Sequence, residues 1–270
     1  GRVILEMRIA IDAGHSYETP GKRCPDDSMR EYHFNSATAR YLIAELAQYV
    51  DVETLYTASD DYDVPLSERV LKANSWGADL FVSIHANAVG SGWSDANGIE
   101  TYVYTSRPAG SVRIANAVQA KLIAATGLCD RGVKAADFYV LRETNCDAIL
   151  VECGFMTNQR EAALLKSDEY RRKCAKAIAE AIAEVYGLTP KEQKKRMEDE
   201  KDGMKLEQWQ WKMLGDALDG LYRKSVNGEI KPPLITDYRW AEKAYKGELT
   251  QSELAWLNAV VFARQNGLDV

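Results

Sequence analysis

The sequence lacks the long apolar run that a membrane-spanning helix needs. No stretch of its 270 residues approaches the ~20 consecutive apolar residues that cross a bilayer. Residues 1–6 also lack the basic start and the apolar segment of a secretory signal peptide. We therefore expect no membrane span and synthesis in the cytoplasm, with residues 1–6 as a candidate remnant of cloning and Met7 as the candidate natural start.

The chain also lacks cysteine pairs and an excess of positive charge. Its five cysteines are widely spaced and form no Cys-x-x-Cys pair, which argues against a disulfide framework or a cysteine zinc site. Reduced, mostly buried thiols are the expected state. The formal net charge is -6, so binding to a phosphate backbone gains little, and we predict no nucleic-acid partner. The oligomeric state stays open.

Residues 8–188 alternate between strand-like and helix-like patterns, which predicts an α/β fold with a mainly parallel, twisted sheet flanked by helices. Short apolar runs predict the strands, which are 8–12, 52–56, 80–84, 98–104 and 148–151. Apolar residues at helical spacing predict the helices, which are 35–49, 65–76, 112–126 and 161–186.

Three of the expected strands end in a polar, reactive side chain. His15, His85 and Glu152 each follow an apolar run, and the chain has only three histidines in all. In an α/β fold with a parallel sheet, ligands bind in the crevice beyond the carboxyl ends of the strands. We therefore expect these three side chains to face one crevice.

Two histidines alone make a weak metal site, because a catalytic zinc ion takes three protein ligands and keeps an open position for water. A carboxylate is the natural third ligand. Glu31 is the candidate, because it lies between the first strand and a long helix starting near Phe34 and could reach the same strand edge. Glu152 would then remain available as a general base beside the metal.

Several neighbouring residues offer alternative roles. The same polar loop holds three more carboxylates that compete with Glu31, namely Glu18, Asp26 and Asp27. His33 is a rival ligand, although its aromatic neighbours favour packing at a helix start. Cys153 has the chemistry of a nucleophile, but both candidate histidines are already used, so packing is the better account. Three polar residues could contact a substrate or brace a loop: Asn87, Arg142 and Asn158.

Four segments carry a resemblance to a known family. They are Asp12-Ala13-Gly14-His15, Glu31 with Asn35, Ser83-Ile84-His85-Ala86-Asn87, and Val151-Glu152-Cys153-Gly154-Phe155-Met156-Thr157-Asn158. In order and spacing this set resembles the zinc-dependent N-acetylmuramoyl-L-alanine amidases, over residues 8–188. In that family glycines often follow the first histidine. Ser16-Tyr17-Glu18 follows it here, so we expect a loop of different shape.

The resemblance implies an enzyme that hydrolyses the amide bond between N-acetylmuramic acid and L-alanine in bacterial peptidoglycan. It implies one catalytic zinc ion (Zn²⁺) held by His15, Glu31 and His85, with Glu152 as the catalytic carboxylate. The expected lack of an export signal favours a phage or prophage endolysin that is released onto the wall at lysis. Three alternatives stay open: a bacterial autolysin of the same activity, another zinc hydrolase such as a peptidase or deacetylase, and a non-catalytic wall-binding protein.

The character of the sequence changes after residue 189, where the expected catalytic domain ends. Residues 190–203 carry mixed charge with almost no apolar stripe, which predicts a linker that is either flexible or a solvated helix. Residues 204–270 predict a small all-helical domain, with helices at 206–222, 237–245 and 250–265. We expect its tryptophans to pack in the core, because so small a domain needs a dense one; they are Trp209, Trp211, Trp240 and Trp256. By analogy with modular lytic enzymes, this domain is a candidate cell-wall-binding module.

Overall fold

The computed structural model describes residues 6–268 and residue 270, so most of the candidate cloning remnant lies outside the described residues. The strands are β1 (Met7–Ala13), β2 (Val52–Tyr56), β3 (Leu80–Asn87), β4 (Ile99–Val103), β5 (Asp130–Ala135) and β6 (Asp147–Phe155). The helices are α1 (Glu31–Leu46), α2 (Leu66–Trp76), α3 (Ala109–Thr126), α4 (Tyr139–Arg142), α5 (Gln159–Lys166), α6 (Asp168–Tyr186), α7 (Lys191–Asp202), α8 (Gln208–Val226), α9 (Arg239–Lys246) and α10 (Gln251–Gln265).

The six strands form one sheet in the order β2-β1-β3-β6-β4-β5. Neighbouring strands are parallel except for β4, which runs antiparallel to β6. The predicted α/β fold with a mainly parallel sheet, followed by a helical region, is confirmed. Because β1, β3 and β6 lie side by side and run the same way, their carboxyl ends meet at the middle of one sheet edge.

Alternating side chains explain the continuous apolar runs of the central strands. In β3, Val82 and Ile84 pack on one face with α1, α3 and α6, whereas Phe81 packs on the other face with α2 and α4. All three are fully buried, and burying a side chain of this size contributes about 1.5–3 kcal/mol. A strand covered on both faces has no room for a solvated polar side chain. The polar residues therefore collect where the strands end.

Four features differ from the expected element pattern. Strand β5 and helix α4 were not expected, and β5 is an edge strand without an apolar run. Helix α1 begins at Glu31, earlier than the expected start. The expected helical stretch 161–186 is divided at Ser167, whose hydroxyl accepts the backbone N–H of Tyr170 and caps α6. Side-chain capping of this kind satisfies an N–H group that has no partner inside the helix.

The chain divides into two compact units, residues 1–191 and 192–270. The charged run expected as a linker is helical and forms α7. In the second unit, Trp211 and Trp240 pack against the core as expected, whereas Trp209 and Trp256 are 64 % and 54 % exposed, so the core prediction is wrong for these two. That core consists of Leu218, Ile235, Ala241, Ala244, Leu249 and Leu257. Within the described part of the chain, no helix is long and apolar enough to cross a membrane.

Candidate active site

The ring of His85 lies at the end of β3, above the backbone of Gly14. Its Nδ1 atom is 3.0 Å from Glu31 Oε1, and its Nε2 atom is 3.0 Å from Ser83 Oγ. A Cβ atom on residue 14 would lie 2.0 Å from His85 Cε1, far inside any tolerated contact. The glycine directly before His15 therefore makes room for the second histidine.

His15 follows β1 in a left-handed backbone conformation, with φ 63°. That conformation is uncommon for a residue with a side chain, and Arg69 stabilises it by donating from Nη2 to the His15 carbonyl at 2.8 Å. The imidazole Nε2 atom lies 3.3 Å from Glu31 Oε2. The rings of His15 and His85 are perpendicular, with centroids 5.1 Å apart. The two imidazoles therefore approach the same carboxylate from different directions.

Glu31 lies between the two histidines as the first residue of α1. Its side chain is buried, and Oε1 accepts hydrogen bonds from Asn35 Nδ2 at 3.1 Å and from the Ala86 N–H at 3.2 Å. The candidate ligand atoms of His15, Glu31 and His85 all lie within 4.8 Å of one another. Among the described residues, this is the one group of three or more histidine, cysteine or acidic side chains close enough to hold a metal ion.

The charges of these three residues depend on one another. Burial lowers the pKa of His15 to about 4, against the opposing attraction of Glu31. Burial alone would lower the pKa of His85, but the hydrogen bond with Glu31 outweighs it, so this pKa is raised. Burial alone would raise the pKa of Glu31, but the histidines, His85 first, hold it below its ordinary value. The carboxylate of Glu31 and the imidazole of His15 are therefore in the protonation states that bind a metal ion, whereas a metal ion would displace the proton that Glu31 favours on His85.

A buried arginine organises the residues behind the histidines. Arg69, on α2, is 1 % exposed and donates from Nη1 to Asp12 Oδ1 at 3.0 Å. Asp12 also accepts from Thr57 Oγ1 at 2.8 Å and from Ser83 Oγ at 2.7 Å. Because Ser83 Oγ also faces His85 Nε2, one hydrogen-bonded chain runs from the arginine to the second histidine. Partners of this kind fix the ring orientation of a metal-binding histidine.

Glu152 lies on β6, directly opposite His85 in the sheet register. Its Oε2 atom is shielded from solvent and has no hydrogen-bond partner among the described residues. Burial raises the pKa of Glu152 to about 8, against the opposing attraction of His85. A carboxyl group whose pKa lies near neutrality can take up and release a proton at physiological pH.

Strand β4 carries a further buried carboxylate in this region, which was not among the predicted site residues. Glu100 is 3 % exposed, and its Oε1 atom accepts from Asn87 Nδ2 and Tyr102 Oη, both at 2.7 Å. Arg131 Nε lies 2.6 Å from the other oxygen, which Lys134 Nζ also contacts. Burial opposes ionisation, but the hydrogen bonds from Lys134, Tyr102 and Arg131 lower the pKa of Glu100 to about 2. Glu100 is therefore ionised at neutral pH.

The rival metal ligands lie outside the three-residue cluster. His33 is exposed, and its Nδ1 atom accepts the backbone N–H of Arg30 at 3.0 Å, at the start of α1. The three competing carboxylates are all exposed, namely Glu18, Asp26 and Asp27. The structure thus brings Glu31, and none of these four residues, to the two histidines.

The remaining residues singled out in the sequence have other contacts. Asn158 Oδ1 caps α5 by accepting two backbone N–H groups at 3.1 Å. Arg142 pairs with two acidic side chains near the surface. Asn87 donates to Glu100, so it braces the wall of the cleft. Cys153 is fully buried, in agreement with packing rather than nucleophilic attack.

The profile of the N-acetylmuramoyl-L-alanine amidase family matches residues 9–184, a span that includes all four candidate site residues. The chain belongs to the N-acetylmuramoyl-L-alanine amidase family. The resemblance drawn from the four sequence segments is therefore confirmed, and the enzyme is an amidase of peptidoglycan. The family match ends within the first compact unit.

Both bacterial and phage amidases are similar to this chain. It is 34 % identical over 184 residues to the N-acetylmuramoyl-L-alanine amidase CwlM of Bacillus licheniformis, covering 68 % of this chain and 70 % of that protein. It is 34 % identical over 192 residues to the endolysin of Bacillus phage SPP1, covering 69 % of each. The catalytic domain of CwlV, an amidase from Bacillus (Paenibacillus) polymyxa var. colistinus, matches with a TM-score of 0.63 and 36 % identity, covering 68 % of this chain and 99 % of that one.

Proposed function

We propose that this amidase is zinc-dependent and that His15, Glu31 and His85 hold one zinc ion. The observation that carries the proposal is the convergence of two imidazoles and one carboxylate, with ligand atoms within 4.8 Å of one another. Two histidines and a glutamate are a donor set of catalytic zinc sites in which a further position stays open. When bound, zinc supplies a Lewis acid that polarises a carbonyl group and acidifies water.

Glu152 acts in this proposal as the proton-transfer residue. Its shielded Oε2 atom has no other partner among the described residues, and its pKa is raised to about 8 by burial. The positive charge of a zinc ion held by His15, Glu31 and His85 would lower the pKa of Glu152 towards neutrality. Glu152 then takes the proton from the attacking water and returns it to the departing alanine amine. The second transfer matters because the alanine nitrogen would otherwise leave as an anion, which is a poor leaving group.

Product analysis on purified peptidoglycan tests the proposed bond and the metal together. We expect new alanine amino termini, no new reducing sugar ends, loss of activity with a chelator and recovery with zinc. New amino termini on other residues would indicate a peptidase, and released acetate would indicate a deacetylase. Undiminished activity in metal-free protein would contradict the zinc proposal while leaving the amidase assignment intact.

The biological setting in this proposal is that of a phage or prophage endolysin, synthesised in the cytoplasm and released onto the wall at lysis. Similarity to the SPP1 endolysin supports it, and the equal identity to a bacterial amidase makes an autolysin the alternative outcome. Mass spectrometry of the native protein from its source cells separates the two. A native protein without a processed export signal, confined to the cytoplasm until lysis, is expected for the endolysin. A processed export signal would indicate the autolysin.

The second unit serves in this proposal as a wall-binding module. It has a cavity of about 870 Å³ that is lined by aromatic and polar side chains, including Trp209, Trp211, Tyr245 and Lys246. Trp209 is 64 % exposed there although a small domain needs apolar side chains in its core. Aromatic faces next to hydrogen-bonding groups suit a ligand with both apolar and polar faces, such as a sugar ring.

A matched pair of tryptophan variants tests this role. We expect Trp209→Ala to weaken sedimentation of the full chain with purified peptidoglycan by about tenfold, because burial of such a side chain is worth over 1.4 kcal/mol. Trp256→Ala removes another exposed tryptophan of the same unit, outside the cavity lining, and should bind like the wild type. Equal binding of both variants and the wild type would exclude the cavity as the binding site.

A further inference from the structure

Two cations contact one oxygen of a buried carboxylate beside the candidate active site. Arg131 Nε lies 2.6 Å from Glu100 Oε2, and Lys134 Nζ contacts the same atom. The other oxygen of Glu100 is already occupied by Asn87 and Tyr102. One negative charge and two positive charges leave this cluster with an excess of one positive charge, in a chain whose formal net charge is -6.

The positive ends of the cluster are accessible, whereas its negative charge is enclosed. The side chains of Arg131 and Lys134 are 33 % and 37 % exposed, but that of Glu100 is only 3 % exposed. Glu100 is the one hydrogen-bond partner of Lys134 Nζ among the described residues, so this ammonium group with three donors has capacity left. The pair can therefore accept a second anion from the solvent side.

The cluster lies within reach of the bond that the enzyme cuts. Glu100 and Glu152 are directly opposite each other in the antiparallel pairing of β4 with β6, where side chains on one face have Cβ atoms about 4.5–5.5 Å apart. An extended peptide advances about 3.3–3.6 Å per residue. A carboxylate on the second residue of a stem peptide therefore lies about 7 Å from the scissile nitrogen, which matches a site next to Glu152.

We propose that Arg131 and Lys134 form a subsite for the backbone carboxylate of the second stem residue. This inference rests on the proposed function, because it concerns the stem peptide whose alanine amine receives the proton from Glu152. Charge-assisted hydrogen bonds from a guanidinium and an ammonium group are among the stronger polar contacts available to a carboxylate. Glu100 is a positioning residue that holds both cations at the cleft.

Two soluble muramoyl dipeptides test the subsite. N-acetylmuramoyl-L-alanyl-D-glutamate carries the carboxylate, and N-acetylmuramoyl-L-alanyl-D-isoglutamine carries an uncharged amide at the same position. We expect the wild type to show a KM about tenfold lower for the carboxylate form, which is about 1.4 kcal/mol, with similar kcat. Lys134→Met should bring the two KM values to within about twofold. Arg131 still pairs with Glu100 in that variant, so the fold is expected to persist.

Two further variants test whether the preference for the carboxylate depends on the charge of Arg131 and on the position of the lysine. Arg131→Lys keeps the charge and should retain part of the preference. Lys121→Met removes a lysine that pairs with Glu184 on α6, and should retain all of it. A wild type without preference, or a Lys134→Met variant that keeps it, would overturn the proposal.

Calorimetry separates failure of the subsite from failure of the proposed function. If neither muramoyl dipeptide is cleaved, the proposed function fails for these substrates, and binding of the free dipeptides L-alanyl-D-glutamate and L-alanyl-D-isoglutamine to the full chain decides the subsite. The subsite is supported if the wild type binds the glutamate form about tenfold more tightly and Lys134→Met loses this preference. Equal binding of the two dipeptides to the wild type refutes it.

Discussion

Substitution of Gly14 by alanine is expected to abolish high-affinity metal binding without unfolding the protein. The new Cβ atom would lie 2.0 Å from His85 Cε1, whereas ordinary contact begins at 3.4 Å, so the ring must move by about 1.4 Å. Metal–ligand distances tolerate only about 0.2 Å. The substitution therefore removes His85 from the cluster and leaves His15 and Glu31.

The expected loss of metal affinity in Gly14→Ala can be estimated from substitutions that disturb a metal ligand less. Loss of a residue that merely orients a ligand costs about 10–100-fold in metal affinity, so displacing the ligand itself should cost at least about 100-fold. Overpacking of this kind lowers the free energy of unfolding by about 1–3 kcal/mol, which a domain of this size should survive. Competition with a chromophoric zinc chelator measures the affinity, and thermal melting of the metal-free proteins measures the stability.

Gly92→Ala is the matched control for this prediction. Gly92 is exposed, has no neighbouring atom within 4 Å of a built Cβ and does not adopt a positive φ, so its substitution should change neither affinity nor stability. If Gly14→Ala bound zinc as tightly as Gly92→Ala and the wild type, the placement of His85 as a metal ligand would be refuted.

Two further predictions concern the buried charges. Arg69→Met leaves Asp12 buried without its cation and should lower the free energy of unfolding by about 3–5 kcal/mol in urea titrations. Arg142→Met, at the surface, should change the free energy of unfolding by less than about 1 kcal/mol. Equal effects of the two substitutions would contradict the role of Arg69 as the buried partner of Asp12. The pKa of Glu100 falls from its ordinary 4.5 to about 2 on folding, so its ionisation stabilises the fold above the ordinary pKa, and that stability is lost as the pH falls towards 2. Glu100→Gln should therefore lose less stability than the wild type between pH 5 and pH 2 in thermal melts, and parallel losses would contradict this.

The edge of the sheet that carries the site was predictable from the residues that end the apolar runs. A strand covered on both faces has room for solvated polar side chains only towards its end, and parallel strands place those ends together. His15, His85 and Glu152 follow this rule. Glu31 was harder to place, because several carboxylates share its loop and only the start of α1 at Glu31 itself directs it towards the histidines.

The supporting residues were harder to predict, although two carried a signal. Arg69 occupies the same helical stripe as the buried residues Val70 and Ala73, and an arginine on a buried stripe requires a buried carboxylate such as Asp12. Glu100 interrupts an otherwise uncharged short strand. Neither residue reveals its partner by spacing, since the cations that pair with Glu100 come from β5, an edge strand without an apolar run.

In the proposed mechanism, three residues hold the metal ion and Glu152 transfers protons. The zinc content and turnover of Glu152→Gln, measured on the same preparation, test this most directly, with Glu184→Gln as a surface control. We expect one zinc ion per chain, unchanged affinity, and turnover reduced by about 10²–10⁴-fold. Loss of zinc from Glu152→Gln would make Glu152 a ligand, and retained turnover would exclude it as the proton-transfer residue; either result would contradict the mechanism.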